Sequence, residues 1–112
     1  MNTDENVLIV RPLQSQDETA WGVLYRGYAD FYKVPMNDTI LATTWSWLMS
    51  EGHPLEGLLA CQGAEPVGFA HFRAQPKPLL GEDAGFLDDL FVEPSFRGSG
   101  AATKLIRELG EI

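Results

Sequence analysis

Basic residues are scarce in this 112-residue sequence, and their scarcity limits the partners that it can bind. The chain has 8 lysines and arginines against 16 aspartates and glutamates, which gives a formal net charge of −8. General nucleic-acid binding depends on Lys and Arg contacts to phosphate, so we do not expect it here. The acidic balance favours a cationic small molecule or a basic peptide tail as partner, or it simply keeps the protein in solution.

Cysteine and long apolar runs are also nearly absent. Cys61 is the only cysteine, so an internal disulfide is excluded and a reducing cytoplasm is the simplest setting. Its neighbours in the apolar run LLACQ indicate a small core residue. The acidic N-terminal segment lacks the features of a signal peptide, and no apolar run approaches membrane-spanning length. We therefore expect no membrane partner.

The residues that are abundant indicate one globular domain over residues 1–112, since apolar residues make up 45% of the chain. Hydrophobic periodicity predicts the order β-α-α-β-β-β-α, which is typical of an α/β or α+β sheet with packed helices. The predicted strands are residues 7–13, 57–62, 67–74 and 85–92, and residues 75–84 are predicted as a loop. The predicted helices begin at a capping box of Ser15 and Glu18, at Asn37 or Asp38, and near Gly98–Gly100.

Two groups of side chains within these elements carry polar atoms on apolar surfaces. The aromatic stripe of the first helix is mostly core, but the hydroxyls of Tyr25, Tyr28 and Tyr32 need partners, and one or two of them could face a pocket. His71 lies in the third strand, whose two apolar faces predict a central position in the sheet. We interpret His71 as a hydrogen-bonded core or rim histidine in preference to a catalytic one.

The turn between the last strand and the last helix combines an arginine with small residues. The first N–H groups of a helix lack partners and carry partial positive charge, and Gly and Ala let an anion approach them closely. Arg97 adds a cation that binds phosphate well, so the segment suits a pyrophosphate, although an ordinary glycine turn is an alternative. The segment lacks the Gly-Lys-Ser/Thr ending of a P-loop, and its spacing differs from the dinucleotide-binding fingerprint.

The segment DLFVEPSFRGSGAATKLI resembles motif A of the GNAT superfamily, the acetyl-CoA-dependent N-acetyltransferases. Arg97, Gly100 and Ala102 match its Arg/Gln-x-x-Gly-x-Gly/Ala signature. The matching order of elements extends the resemblance from Val7 to Ile112. The segments AWGVLYRGYADFYKVP and DDLFVEP are most similar to the members that acetylate polyamines, histone tails or other small amines.

This resemblance implies acetyl-CoA as cosubstrate, bound largely by main chain. Its pyrophosphate is expected on Arg97, Gly98, Ser99, Gly100, Ala101 and Ala102, and its pantetheine arm along Leu90, Phe91 and Val92. A backbone N–H of the latter stretch would polarise the thioester carbonyl. Tyr25, Tyr28 and Tyr32 are then the candidates for contacting the substrate, and no metal is expected.

The resemblance also implies that the acceptor amine attacks the thioester directly, without an acyl-enzyme. Asp88 and Asp89 are the candidates for holding and deprotonating the amine, because two carboxylates in an apolar strand are unusual. Strand alternation predicts that they lie on opposite faces, so that one of them reaches the site, while a bulge or a solvent-facing position is the alternative. The base of the histone-acetylating members corresponds to Phe86, which does not titrate, and Cys61 is a poor candidate nucleophile.

GNAT domains continue beyond the segment that corresponds to Ile112, so the resemblance predicts a C-terminally truncated domain, with a short domain whose missing wall comes from another subunit as the alternative. Strand four and the faces of the central strands would then be exposed in a monomer, which predicts self-association, most simply as a homodimer. An inactive domain that binds CoA or mediates dimerisation is the alternative to an enzyme.

Overall fold

The computed structural model describes residues 7–110, which form one antiparallel sheet of four strands and three helices. The strands are β1 (Leu8–Pro12), β2 (Glu56–Gln62), β3 (Glu65–Lys77) and β4 (Glu82–Val92), and they lie in the sheet in that order. The helices are α1 (Glu18–Phe31), α2 (Asp38–Leu48) and α3 (Ala101–Gly110). The predicted α+β class, order of elements and central position of β3 are confirmed. The prediction that the N-terminal segment is not a signal peptide concerns residues 1–6 in part, and these lie outside the described residues.

Helices cover both faces of the sheet, and each face has its own apolar cluster. One cluster joins β2, β3 and β4 to α3 and contains the fully buried Val67 and Leu105. The other joins the opposite face to α1 and contains Leu59, Phe69 and the buried thiol of Cys61. Cys61 is therefore a core residue, as predicted.

The start of α1 differs from the predicted capping box of Ser15 and Glu18. The carboxylate of Asp17 accepts hydrogen bonds from the Gln14 backbone N–H and from both terminal nitrogens of Arg11. A short 3₁₀ turn over Ser15–Asp17 moves the reciprocal contact back by one residue. The sequence pattern did not predict this shift because it depends on Arg11, which projects from the neighbouring strand.

Residues 75–84 were predicted as a loop, but they mostly extend a long β3–β4 hairpin. Its strands pair as far as Lys77 and Glu82, and a 3₁₀ turn over Pro78–Leu80 joins them. Gly81 supplies the left-handed conformation that so tight a turn needs, with a φ of 64°. The prolines suggested a loop, yet one of them begins the turn, where its missing N–H costs no ladder bond.

A bulge in β4 overturns the prediction that Asp88 and Asp89 lie on opposite faces. His71 pairs with Asp89 and Phe72 pairs with Leu87, so Asp88 is an extra residue in β4. A bulge of this kind interrupts strand alternation, and both carboxylates contact side chains on the α1 face.

The prediction that the faces of the central strands are exposed is wrong, because helices cover both faces of these strands. Residues 58–61 of β2 and 67–72 of β3 are buried. The exposed apolar side chains of this region lie instead on the hairpin and on the first half of β4, at Leu79, Leu80, Phe86 and Leu87.

Candidate active site

The segment between β4 and α3 folds into a tight turn that directs the first turn of α3 toward a cleft. Gly98 and Gly100 have φ values of 87° and 93°, which side-chain-bearing residues rarely adopt. α3 then begins at Ala101, where its first N–H groups lack partners within the helix. The predicted start of this helix is confirmed.

A cleft of about 440 Å³ lies between this turn and the end of β4. Eight of the nine predicted cofactor residues line it: Leu90, Phe91, Val92, Arg97, Gly98, Gly100, Ala101 and Ala102. Ser99 is the exception, and Tyr32, Phe96 and Thr103 complete the lining. The structure therefore brings the predicted loop and the predicted strand segment together at one cavity.

Arg97 is held against the wall of this cleft. Its Nε donates a hydrogen bond of 3.1 Å to the carbonyl of Val92. Its guanidinium also lies over the rings of Phe31 and Phe91, at 4.5 and 5.8 Å from their centroids. These contacts fix one nitrogen of the guanidinium, and the Arg97 side chain makes no other hydrogen bond within residues 7–110.

The end of β4 presents main chain to the same cleft. Among the described strands, β4 pairs with β3 alone, so its other edge is unpaired within residues 7–110. Phe91 anchors this stretch, because its ring packs close to Gly27 of α1 and its carbonyl lies close to Gly68 of β3. An added Cβ at Gly68 would lie 2.7 Å from that carbonyl oxygen, so glycine is required there.

A second polar cluster lies on the α1 face of the sheet, centred on Asp89. His71 is fully buried, and its Nδ1 lies 2.8 Å from Oδ2 of Asp89. Nε1 of Trp21 donates a hydrogen bond of 2.9 Å to Nε2 of the same imidazole. The hydroxyl of Tyr25 donates to Oδ2 of Asp89 at 3.3 Å. His71 is thus a hydrogen-bonded core residue, as predicted.

The protonation of this cluster follows from its hydrogen bonds. Burial opposes ionisation of Asp89, but hydrogen bonds from His71, Tyr28 and Tyr25 outweigh it and lower the pKa of Asp89. Burial and the neighbouring Asp89 raise the pKa of Tyr28 to about 12, and burial likewise raises the pKa of Tyr25. At neutral pH the carboxylate is therefore ionised, and both hydroxyls keep their protons and donate them.

Asp88 has a different environment although it is the next residue. Both of its carboxylate oxygens accept from Nε of Arg73, at 3.2 and 3.1 Å. The Arg73 guanidinium also lies 4.7 Å from the ring centroid of Phe86. Asp88 is thus neutralised by a cation at the surface, whereas Asp89 is surrounded by the ring of His71 and the hydroxyls of Tyr25 and Tyr28.

The three predicted substrate tyrosines divide between the two polar regions. Tyr25 and Tyr28 lie in the Asp89 cluster, while Tyr32 is about half exposed and lines the cleft. The sequence did not predict that Trp21 and His71 support Asp89. Trp21 and His71 are hydrogen-bonded to each other, but 50 residues separate them in the sequence. The available signal was a histidine in an apolar strand.

The family model described as the acetyltransferase (GNAT) family matches residues 21–112. The chain belongs to this family. Its fold, glycine turn and cleft agree with the resemblance carried by motif A. No helix within residues 7–110 is long and apolar enough to cross a membrane, and the same residues contain no group of three potential metal ligands from His, Cys, Asp and Glu.

Individual relatives agree with this membership. A D-amino-acid N-acetyltransferase of Saccharomyces cerevisiae is 29% identical over 101 residues, which are 88% of this chain and 63% of that protein. The chain thus spans less than two thirds of this curated relative. The structure of a ribosomal-protein-alanine N-acetyltransferase from Brucella melitensis is 26% identical with a TM-score of 0.76, covering 94% of this chain and 70% of that one. A Trypanosoma brucei acetyltransferase is 27% identical with a TM-score of 0.70, covering 94% and 73%.

Proposed function

We propose that the chain carries an acetyl-CoA-dependent N-acetyltransferase activity, directed at a primary amine of a small molecule or a basic tail. The observation that carries this proposal is the cleft where the glycine turn, the first turn of α3 and the end of β4 meet. Family membership supports acetyl-CoA as the cosubstrate.

In this proposal the pyrophosphate of acetyl-CoA binds at the first turn of α3. Partnerless N–H groups and the helix dipole favour an anion there, and the positive φ values of Gly98 and Gly100 shape the turn around it. Arg97 contributes positive charge from the wall of the cleft. Ser99 does not line the cavity, and we assign it no more than a main-chain role in the turn.

The pantetheine arm then runs along Leu90, Phe91 and Val92, where main chain borders the cleft. A backbone N–H of this stretch donates to the thioester carbonyl as negative charge develops on its oxygen. The amine nitrogen forms a bond to the carbonyl carbon and gives a tetrahedral intermediate. That intermediate collapses with cleavage of the carbon–sulfur bond, and CoA leaves as the thiolate. The nitrogen gives up its extra proton to water, and the thiolate takes up a proton from water.

Of the two candidates Asp88 and Asp89, we propose that Asp89 serves the acceptor amine, because Asp88 is paired with Arg73. Tyr25, Tyr28 and Tyr32 are proposed to line the path of the amine. A carboxylate beside the predicted thioester position suits a cationic substrate. A covalent route through Cys61 is not part of the proposal, since the thiol is buried and burial raises its pKa. The yeast relative acetylates D-amino acids, which supports the amine of a small molecule as acceptor.

Calorimetric titration with acetyl-CoA tests the cofactor site. We expect Arg97→Glu to weaken binding at least tenfold, because it replaces a cation at the cleft with an anion. Arg107→Glu is the matched control, since it makes the same charge change on an exposed position of α3 and keeps nearly wild-type affinity. Equal losses in both variants, or no binding by the unaltered chain, would contradict the proposed site.

A second candidate function is a domain that binds CoA or forms dimers without catalysis, as the exposed apolar side chains of the hairpin favour. Acetyl-CoA binding without any amine-dependent release of thiol would support this candidate over the enzyme. We place either function in the cytoplasm, since a single free cysteine suits a reducing compartment.

A further inference from the structure

We propose that Trp21 and His71 hold Asp89 as a permanent anion that receives the substrate amine in its protonated form. Asp89 is then the ammonium anchor of the site, and His71 is a positioning residue that takes no part in proton transfer. This inference rests on the proposed function and deepens it, because it defines the substrate class as an ammonium cation.

The direction of the hydrogen bonds fixes the tautomer of His71. An indole N–H can only donate, so the contact from Trp21 requires a lone pair on Nε2 of His71. The proton of the neutral ring is then on Nδ1, where it is donated to Asp89. A second proton on the ring would break the Trp21 contact inside a fully buried environment, so the indole opposes a cationic imidazole.

The charged and titratable groups around His71 leave Asp89 with an uncompensated charge. α1 contributes Trp21, Tyr25 and Tyr28, which are neutral donors, and β2 contributes Gly57 opposite His71. β4 contributes Asp89 and Asp88, and the latter is paired with Arg73 of β3. No cation within the described residues contacts Asp89.

Asp89 is also accessible, which an anchor requires. Its side chain is 20% exposed, while that of His71 is fully buried. Its Oδ2 accepts from His71 and Tyr25, and the carboxylate also accepts from Tyr28, which still leaves a lone pair for a substrate N–H. The aromatic rings of Tyr25 and Tyr28 lie beside it, and such rings favour contact with a cation.

This arrangement separates binding of the amine from its deprotonation. A carboxylate whose pKa lies below its ordinary value is a weak base, so Asp89 holds the ammonium group without removing its proton. The proton leaves to water before the amine attacks. The Trp21 donor protects this function, because a cationic His71 would neutralise Asp89 and compete with the substrate.

The pH dependence of the amine KM separates this positioning role from a merely structural one. Trp21→Phe removes the donor and keeps an aromatic ring, so no indole N–H requires a lone pair on Nε2 of His71 any longer. We expect the KM for 1,4-diaminobutane to rise about tenfold more in Trp21→Phe than in the unaltered protein between pH 8 and pH 6. The KM for acetyl-CoA should show no such difference.

His71→Gln is the conservative variant, since an amide can accept from Trp21 and donate to Asp89 but cannot become a cation. Combined with Trp21→Phe, it should abolish the additional pH dependence of that variant. An amine KM with the same pH profile in Trp21→Phe and in the unaltered protein would overturn the proposal, as would persistence of the effect in the double variant.

Nitrogen-15 NMR of the histidine rings provides a test that needs neither turnover nor folding of a variant. We expect His71 to show a protonated Nδ1 and an unprotonated Nε2, as the contacts with Asp89 and Trp21 require. A proton on Nε2 would overturn the inference. If the protein shows this tautomer but no acetyl transfer, the proposed function is wrong, while the inference that Trp21 and His71 hold Asp89 as an anion is retained.

Discussion

At the scale of single residues, the two adjacent aspartates of β4 are the most informative pair in the molecule. Asp88 is matched by the Arg73 guanidinium, while Asp89 is surrounded by the donors His71, Tyr25 and Tyr28. Identical carboxylates therefore have different electrostatic environments. The β4 bulge produces this difference, since it turns both side chains to the α1 face but gives them different neighbours.

Parallel substitutions test this difference. We expect Asp89→Asn to raise the KM for an amine substrate by about 10- to 100-fold, because a charge-assisted hydrogen bond contributes about 1.5–3 kcal/mol. Asp88→Asn makes the same chemical change one residue away and should alter this KM by no more than about threefold. Steady-state kinetics at saturating acetyl-CoA measure both. A larger effect of Asp88→Asn would show that Asp88 binds the amine and would contradict its assignment to Asp89.

The sequence identified these aspartates as unusual but not their orientation. Period-two alternation places neighbours on opposite faces, and it fails at Asp88 because a bulge depends on cross-strand register. His71 was recognised as a satisfied core histidine from its apolar surroundings alone. Its partner Trp21 was read as core, since nothing local in the sequence relates an indole on a helix to an imidazole on a strand.

At the scale of elements, the Arg11–Asp17 pair joins β1 to the start of α1. Asp17 accepts three hydrogen bonds, two from Arg11 and one from the Gln14 backbone. Those from Arg11 are the main reason why the pKa of Asp17 lies below its ordinary value. The stabilisation is therefore complete above the unfolded-state pKa of about 4 and disappears as the pH falls through the lower folded-state value.

We expect Asp17→Asn to lower the free energy of unfolding by about 2 kcal/mol at pH 7. The difference from the unaltered protein should shrink as the pH falls below about 4 and disappear once the folded-state carboxylate of Asp17 is protonated. Asp38→Asn is the control, since the Arg26–Asp38 pair is exposed and should contribute far less. Urea denaturation at pH 7 and pH 3 measures these differences, and a pH-independent effect at Asp17 would contradict the electrostatic explanation.

The glycine turn before α3 supports a second comparison between elements. Gly100→Ala places a side chain where φ is 93°, so we expect a destabilisation of about 1–2 kcal/mol and weaker acetyl-CoA binding. Gly22→Ala lies within α1, where an added Cβ meets no atom within 4 Å, and should stabilise the protein by about 0.5–1 kcal/mol. Thermal melts with and without acetyl-CoA measure both. Equal stability changes would show that the turn conformation is not required.

Most elements were predictable from periodicity, because the apolar residues of α1 and of the strands recur with the period of each element and pack into the core. The hairpin was not, because Pro76 and Pro78 are typical of loops and only the pairing partner across the turn makes a strand of this segment. The cleft was predicted as a combination of strand and turn. Arg97 was predicted to lie in the turn beside the strand. Its contact with Phe31 was not predicted, because that contact depends on how α1 crosses the sheet.

At the scale of the whole molecule, the β3–β4 hairpin carries an exposed apolar tip. Leu79 is fully exposed and Leu80 is 69% exposed, and such side chains favour association. We expect the protein to self-associate, and Leu79→Ser with Leu80→Ser to shift it toward the monomer. Light scattering over a concentration series measures this shift. A concentration-independent monomer for the unaltered chain would contradict the prediction.

Release of CoA thiol from acetyl-CoA, followed over a panel of amines, tests the central claim most directly. We predict thiol release that requires both the protein and a primary amine with a protonated amino group, such as 1,4-diaminobutane, and that falls sharply in Asp89→Asn. Mass spectrometry should find the acetyl group on the amine. Absence of amine-dependent thiol release across the panel, from a folded chain that binds acetyl-CoA, would contradict the assignment of an N-acetyltransferase.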